Sequence, residues 1–406
     1  MGRLRRVLCT FLIVSFLLHP SMNFALASTI KLDAADVEEF LDIVIGERRD
    51  EFNIPNVTVS VVSGGEIIFA KGYGYADYEN NNLVDPEKTL FRIGSTSKLF
   101  TWTAVMQLVE AGKLDLDTDI NEYLDFELPD TIEYKRGKSI AEPITIKHLM
   151  SHSPGFEDYM TNVFSLYEDS LIPLAQYVRE KRPTRVFVPG EVTAYSNYGT
   201  ALAGYIVEVV SGVPFAQYVE ENIYQPLGME FSTFRQPLPS ELADHMSKSY
   251  RSVNGEFVEA KFEFVPEPAG SMSSSAIDMA KFMLAYLQKG QYEGVSILKE
   301  DTVQKMFTEQ FSQHPRLDGM AYGFIKATFN GRDIFHHPGG MMLYDTSFYL
   351  IPDEEVGFFI SHSGGNYLVN LEIFQEFMNR YFPSEAEEIV APVPTANMDQ
   401  RSSEYV

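Results

Sequence analysis

The chain has 406 residues, 45% apolar and 22% charged, which is ordinary globular composition and excludes disorder over the whole length. A formal net charge of -25 argues against nucleic acid or an anionic lipid surface as a partner. The length allows one large two-part domain or two domains.

Residues 1–27 read as a secretory signal. Arg3, Arg5 and Arg6 form a basic start, Val7 to Leu18 is an apolar run too short to span a bilayer comfortably, and Ala25-Leu26-Ala27 offers a cleavage site before Ser28. An uncleaved membrane anchor is the alternative. The segment carries three basic residues and no acid, so its removal would take the charge from -25 to -28. It also holds Cys9, the only cysteine, so the exported chain could use neither disulfides nor thiol catalysis. The expected location is secreted or extracytoplasmic, in a bacterial cell envelope.

From Asp33 to Arg49 the apolar spacing predicts a helix. Val57 to Ser63 and Glu66 to Lys71 read as strands around Gly64-Gly65. Phe100 to Leu108 is a helical segment that stops near Gly112. The stretch from about Leu114 to Glu263 reads as helix and loop, with Leu202 to Val210 and Phe215 to Ile223 its clearest helices, and Ala276 to Gln288 is a further helix beyond it. Four short strands follow at Tyr322–Phe329, Arg332–His337, Thr346–Ile351 and Val356–His362, with Asn330-Gly331 turning between the first two. Tyr367 to Tyr381 reads as an amphipathic helix, and residues 383–406 as a disordered tail or linker.

Strands at both ends and helices between them predict an α+β fold. One antiparallel sheet built from both chain ends would be flanked by helices, with a mostly helical insertion at about 114–263 and a cleft between the parts. The domain would span residues 28–382.

Three short motifs carry candidate chemistry. In Gly94-Ser95-Thr96-Ser97-Lys98, a serine three residues before a lysine puts both side chains on one helical face. A helix start at Ser95 would favour negative charge developing there, and a desolvated Lys98 could lose its proton and activate the hydroxyl. In Tyr195-Ser196-Asn197, a tyrosine beside a cation could act as base or proton relay, and the Asn197 amide could bond a substrate peptide group. In His337-Pro338-Gly339-Gly340, glycines at a strand end would let a substrate backbone lie close, and the Gly340 N–H could pair with that of Ser95 as an oxyanion hole. Taken alone, each motif reads more readily as a cap or a turn than as a site.

In this order, S-x-x-K, then Y-x-N about a hundred residues on, then H-x-G before the last two strands, the chain resembles the class C β-lactamases. It also resembles the D-alanyl-D-alanine carboxypeptidases and related esterases and D-aminopeptidases of the serine β-lactamase and penicillin-binding-protein superfamily. Phe91-Arg92-Ile93-Gly94-Ser95, Gly112-Lys113-Leu114-Asp115-Leu116-Asp117, Ile144 to Gly155, Pro226-Leu227-Gly228-Met229 and Pro268-Ala269-Gly270-Ser271 are similar to further family segments. The resemblance covers about residues 35–382. It implies attack by Ser95, proton handling by Lys98 and Tyr195, substrate contacts from Asn197, His337 and Gly339, and an oxyanion hole of the Ser95 and Gly340 amides. An acyl-enzyme would form, with no metal or organic cofactor.

One departure bears on substrate. Where the family usually has lysine or histidine, then threonine or serine, then glycine, this chain has His337-Pro338-Gly339. Pro338 has no hydroxyl, and His337 is a weaker carboxylate partner than lysine. That argues against efficient β-lactam turnover and strict carboxypeptidase action, and leaves a D-amino-acid peptidase or esterase with an uncharged leaving side open. The expected partners are small peptides, esters or cell-wall-derived substrates, with cell-envelope association open.

His148 and His152 have zinc-compatible spacing but lack the H-E-x-x-H glutamate, so they are expected to be structural. No G-x-S-x-G elbow supports a Ser–His–Asp triad. Met341, Met342 and Tyr344 could line the cleft or pack in the sheet.

Overall fold

Every residue of Asn56–Ser63 (β1) is buried, and the alternation of its side chains explains how. Val57, Val59 and Val61 enter one core with Val37, Leu41, Phe358 and Phe377. Val62 enters another, with Trp102, Phe282 and Phe348. Ser60 donates to the Ala276 carbonyl at 2.8 Å. A strand with cores on both faces lies in the middle of a layered fold.

The computed structural model describes residues 31–129, 131–134, 138–158, 164–314, 317–366 and 368–384. The expected signal at 1–27, Tyr367 and the expected tail beyond Ser384 lie outside the described residues.

Seven further strands join β1. They are β2 (Glu66–Asp77), β3 (Asn82–Leu83), β4 (Gly319–Met320), β5 (Ile325–Phe329), β6 (Arg332–Gly340), β7 (Tyr344–Ile351) and β8 (Val356–Ser363). The order across the sheet is β4-β5-β6-β7-β8-β1-β2-β3, and neighbours pair antiparallel. The two chain ends meet at β1 and β8, with Val57 opposite His362 and Val61 opposite Phe358. This is the α+β sheet expected from the sequence. Asn330 (φ 49) and Gly331 (φ 76) both take the left-handed conformation that the β5–β6 hairpin turn requires.

Helix α1 (Ala34–Phe52) begins where Asp33 accepts from the Asp36 N–H and ends on Asn53 in the left-handed region. It packs with α9 (Leu368–Tyr381) against one face of the sheet. Arg48 pairs with Glu372 and Glu376 across these two helices. On the opposite face lies α8 (Ala276–Leu287), capped by Ser275 and stacked on β1 and β8. Behind it runs α2 (Lys98–Glu110), ten of whose thirteen residues are buried. Phe100 of α2 stacks on Phe282 of α8 with ring centroids 3.9 Å apart.

The middle of the chain is less purely helical than expected. It contains α3 (Ile146–Met150), α4 (Leu174–Glu180), α5 (Asn197–Ser211) and α6 (Phe215–Val219). It also contains a hairpin, Tyr250–Val253 with Glu256–Glu259. Ser232–Thr233 forms a small sheet with Phe91–Arg92 and Ser273–Ser274. The short helix α3 starts where Thr145 and His148 form a reciprocal capping box around its first turn. Beyond the middle lies α7 (Glu267–Gly270), whose Pro268 sits so close to α5 that a Cβ on Gly204 would fall 2.3 Å from it. Among the described residues no single helix is long and apolar enough to cross a membrane.

Candidate active site

Ser95 does not start α2 directly. It lies in a 3-10 turn, Gly94–Ser97, that feeds the helix. Gly94 takes φ +52, and a Cβ there would come within 2.9 Å of the Gly340 nitrogen. The Thr96 hydroxyl donates to the His337 carbonyl at 3.2 Å. On the strand side a Cβ on Gly339 would fall 1.9 Å from the Ile93 carbonyl oxygen. Turn and strand therefore meet backbone to backbone, and glycine is the only residue that fits at either position.

The strand differs from its expected end at His337. β6 continues through Gly340, with Pro338 opposite Ser347 and Gly340 opposite Asp345. On its other side the pairing with β5 stops at Ile325 and His336. A proline is tolerated here because the edge past His336 has no strand to bond. The same open edge, beside the Ser95 turn, is where an extended substrate backbone could lie.

Lys98 is fully buried. Its Nζ is 3.1 Å from Ser95 Oγ, 2.9 Å from Asn197 Oδ1 and 2.5 Å from the Ala269 carbonyl. Loss of solvation pushes its pKa down to about 7, against a smaller opposing pull from Asp158. A neutral amine fits these three contacts: two N–H donors for the two carbonyl oxygens and a lone pair for the serine hydroxyl. The backbone of α7 is held in place for this by Thr101, which donates to the Pro268 carbonyl at 2.7 Å.

Tyr195 completes the group. The Lys98 Nζ lies 4.9 Å from its ring centre, and its hydroxyl interacts with Ser95. The residue as a whole keeps 37% of its surface exposed, whereas the hydroxyl end is enclosed. Desolvation there drives the phenol's pKa well up, and the Ser95 interaction pulls it only partly back. Of the two roles expected for a tyrosine beside a cation, base and proton relay, the relay fits this environment. With the amine near neutrality, the phenol keeps its proton.

Asn197 opens α5, its Oδ1 on Lys98 and its Nδ2 3.3 Å from Asp158 Oδ2. His337 is buried, with Nδ1 2.7 Å from the Pro338 carbonyl. Burial and the neighbouring Lys98 push its pKa down to about 3, so His337 is a neutral ring and offers a carboxylate no charge. Its Nε2 has no protein partner.

His152 and Asp158 were not singled out for this site by sequence reasoning. The ring of His152 packs against Tyr195, centroids 4.4 Å apart, and against Trp102. Its Nδ1 accepts from the Ser196 N–H at 3.2 Å. It thus fixes both the ring and the backbone of the tyrosine segment, while His148 serves the α3 cap. Its sequence signal was its place in Ser151-His152-Ser153-Pro154-Gly155; Asp158 had none. Met341 and Tyr344 pack into a small core with Phe91 and Val265, whereas Met342 is exposed. A cavity of about 390 Å³ lies beside α4, lined among others by Leu171, Tyr177, Phe264 and Glu267; Ser95, Lys98 and Tyr195 do not line it.

The sequence of the beta-lactamase family matches residues 41–370. Penicillin-binding protein 4* of Bacillus subtilis is 30% identical over 202 residues, covering 48% of this chain and 42% of that protein. Protein flp of Staphylococcus aureus is 26% identical over 251 residues, covering 60% of this chain and 48% of that protein. The chain thus spans about half the length of these relatives. Among solved structures, an octameric penicillin-binding protein homologue from Pyrococcus abyssi superposes with a TM-score of 0.73 at 27% identity, covering 84% of this chain and 77% of that one. A class C beta-lactamase superposes with a TM-score of 0.70 at 18% identity, covering 88% and 99%, a likeness of fold.

Proposed function

The chain belongs to the beta-lactamase family, and from that premise we propose that it is a secreted serine hydrolase that forms an acyl-enzyme on Ser95. The observation that carries this reading is the buried Lys98 amine, 3.1 Å from the Ser95 hydroxyl and bonded on its other sides to two carbonyl oxygens. An amine so placed takes the serine proton as Oγ bonds to the substrate carbonyl carbon. The Ser95 and Gly340 amides receive the oxyanion. As the tetrahedral intermediate collapses, the bond to the leaving group breaks and the proton passes to it through the Tyr195 phenol. Lys98, restored as base, then activates a water that releases the acid product.

The substrates are D-amino-acid peptides, cell-wall-related peptides or esters. A neutral His337 and a Pro338 without hydroxyl supply no charge for a substrate carboxylate on the leaving side. That supports peptidase or esterase action over strict carboxypeptidase or efficient β-lactam turnover. The location outside the cytoplasm rests on the basic, apolar and small-residue pattern of residues 1–27. The similarity to penicillin-binding protein 4* favours a second reading, in which Ser95 is acylated and turns over slowly.

A hydrolysis panel of D-alanyl dipeptides, D-amino-acid amides, p-nitrophenyl esters and a cephalosporin, run on wild type and Ser95→Ala, tests the proposal. All turnover is expected to vanish in the variant, and turnover that survives overturns it. Mass spectrometry with a labelled β-lactam separates the two readings: a persistent adduct means slow turnover, and rapid loss of the acyl mass means hydrolysis.

A further inference from the structure

The site is uneven in charge. On the leaving side, at the end of β6, the His337 ring is neutral and shut from solvent, and Pro338 brings no donor. On the acyl side, Asn197 Nδ2 is 3.3 Å from the Asp158 carboxylate. Asn197 in turn bonds Lys98, so one side chain separates the carboxylate from the amine, and the charge of Asp158 raises the pKa values of Lys98 and Tyr195. Asp158 is solvent-accessible, and among the described residues it forms no ion pair with a lysine or arginine. Once Lys98 has lost its proton, no cation among the described residues pairs with the carboxylate, and a cationic substrate group would complete it.

Resting on the serine-hydrolase reading, we propose that Asp158 is a specificity residue that selects substrates with a free α-ammonium group next to the scissile carbonyl, namely aminoacyl esters and amides. In such a substrate the ammonium lies two bonds from the carbonyl carbon that Ser95 attacks. Asn197, whose Oδ1 is fixed by Lys98, borders the acyl side of that carbon, and Asp158 lies behind its amide. The ammonium donates to the Asp158 carboxylate in place of Asn197 Nδ2. An N-acylated substrate cannot make this ion pair, and an acyl group bearing a carboxylate is repelled. The role is distinct from proton transfer, which stays with Lys98 and Tyr195.

The test compares alanine methyl ester with N-acetylalanine methyl ester, both enantiomers, on the full chain and on Asp158→Asn, following acid release at constant pH. The two esters share one leaving group and one nucleophile, so any effect of the substitution on Lys98 cancels in the ratio of their kcat/KM values. Wild type is expected to favour the free amine by about tenfold or more, the scale of one partly buried charge-assisted contact. In Asp158→Asn the ratio falls to about one. A wild-type preference for the acetylated ester, or an unchanged ratio in the variant, overturns the proposal. Labelling of Ser95 by a fluorophosphonate separates the two levels of failure. Labelling with no amine preference sinks only the Asp158 assignment, and the absence of both labelling and turnover sinks the hydrolase reading with it.

Discussion

Gly339 and Ile93 touch through their main chains: a single added Cβ on the glycine would lie 1.9 Å from the isoleucine carbonyl oxygen. The Ser95 turn and β6 are thereby held in one register, which the proposed oxyanion hole of the Ser95 and Gly340 amides requires.

Gly339→Ala is expected to force turn and strand apart. Overpacking of this kind costs ~2 kcal/mol, which differential scanning calorimetry reads as a lowered Tm. The larger loss falls on acylation, since removing one well-placed oxyanion donor slows such reactions by about 10²–10³-fold. A variant with lowered Tm and wild-type acylation rate would show that the contact serves stability alone.

The pH dependence of ester hydrolysis follows from Lys98. Burial lowers its pKa to about 7, and the neutral amine is the working form, so kcat/KM rises as pH passes upward through about 7. Asp158 opposes the depression, so Asp158→Asn shifts this rising limb to lower pH. A limb that stays put in the variant, or moves to higher pH, contradicts the placement of that charge.

Lys98 also sets a stability trend. Its folded pKa lies near 7 and its unfolded value near 10.5, so between these values the unfolded chain binds more protons. Stability from this group therefore increases as pH rises from about 7 to about 10.5. Lys98→Met removes the cost of stripping water from the amine. The variant is expected to be inactive and, at pH 7, more stable by on the order of a few kcal/mol. Denaturant titrations at pH 7 and pH 9 check both the sign and the shrinking of the difference.

Tyr195→Phe removes the phenol that carries a proton to the leaving group. Amide substrates, whose leaving amine must be protonated, are expected to slow by about 10²–10³-fold. A p-nitrophenyl ester, whose leaving group departs as an anion, slows far less. Equal losses on both substrates would mean that the tyrosine activates Ser95 instead.

The sheet was legible in the sequence because its signals are local. Valine alternation in residues 57–62 and the Asn330-Gly331 turn each depend on a few adjacent side chains. The same signal at Asn254-Gly255, both with positive φ, marks a hairpin that a broadly helical reading of the middle passed over. Ser95, Lys98 and Tyr195 could be picked out as motifs, and folding brings them together. The protonation state of Tyr195 and His337 could not be read, because desolvation depends on what covers a group in three dimensions. Asp158 was invisible for the same reason: it meets Asn197 only once α5 and the segment before residue 159 pack side by side.

Asn56 and Ser363 are bonded to each other although 307 positions separate them. While the chain is being synthesised, β1 and β2 emerge first, and β1 waits for β8 with one flank bare. A strand buried on both faces is then a sticky edge in the nascent chain, and its long wait makes assembly slow and prone to misassociation. A chain cut short before Val356 would lose a neighbour from the centre of the sheet rather than from its rim, so even a truncation confined to about the last eighth of the chain would leave nothing that folds.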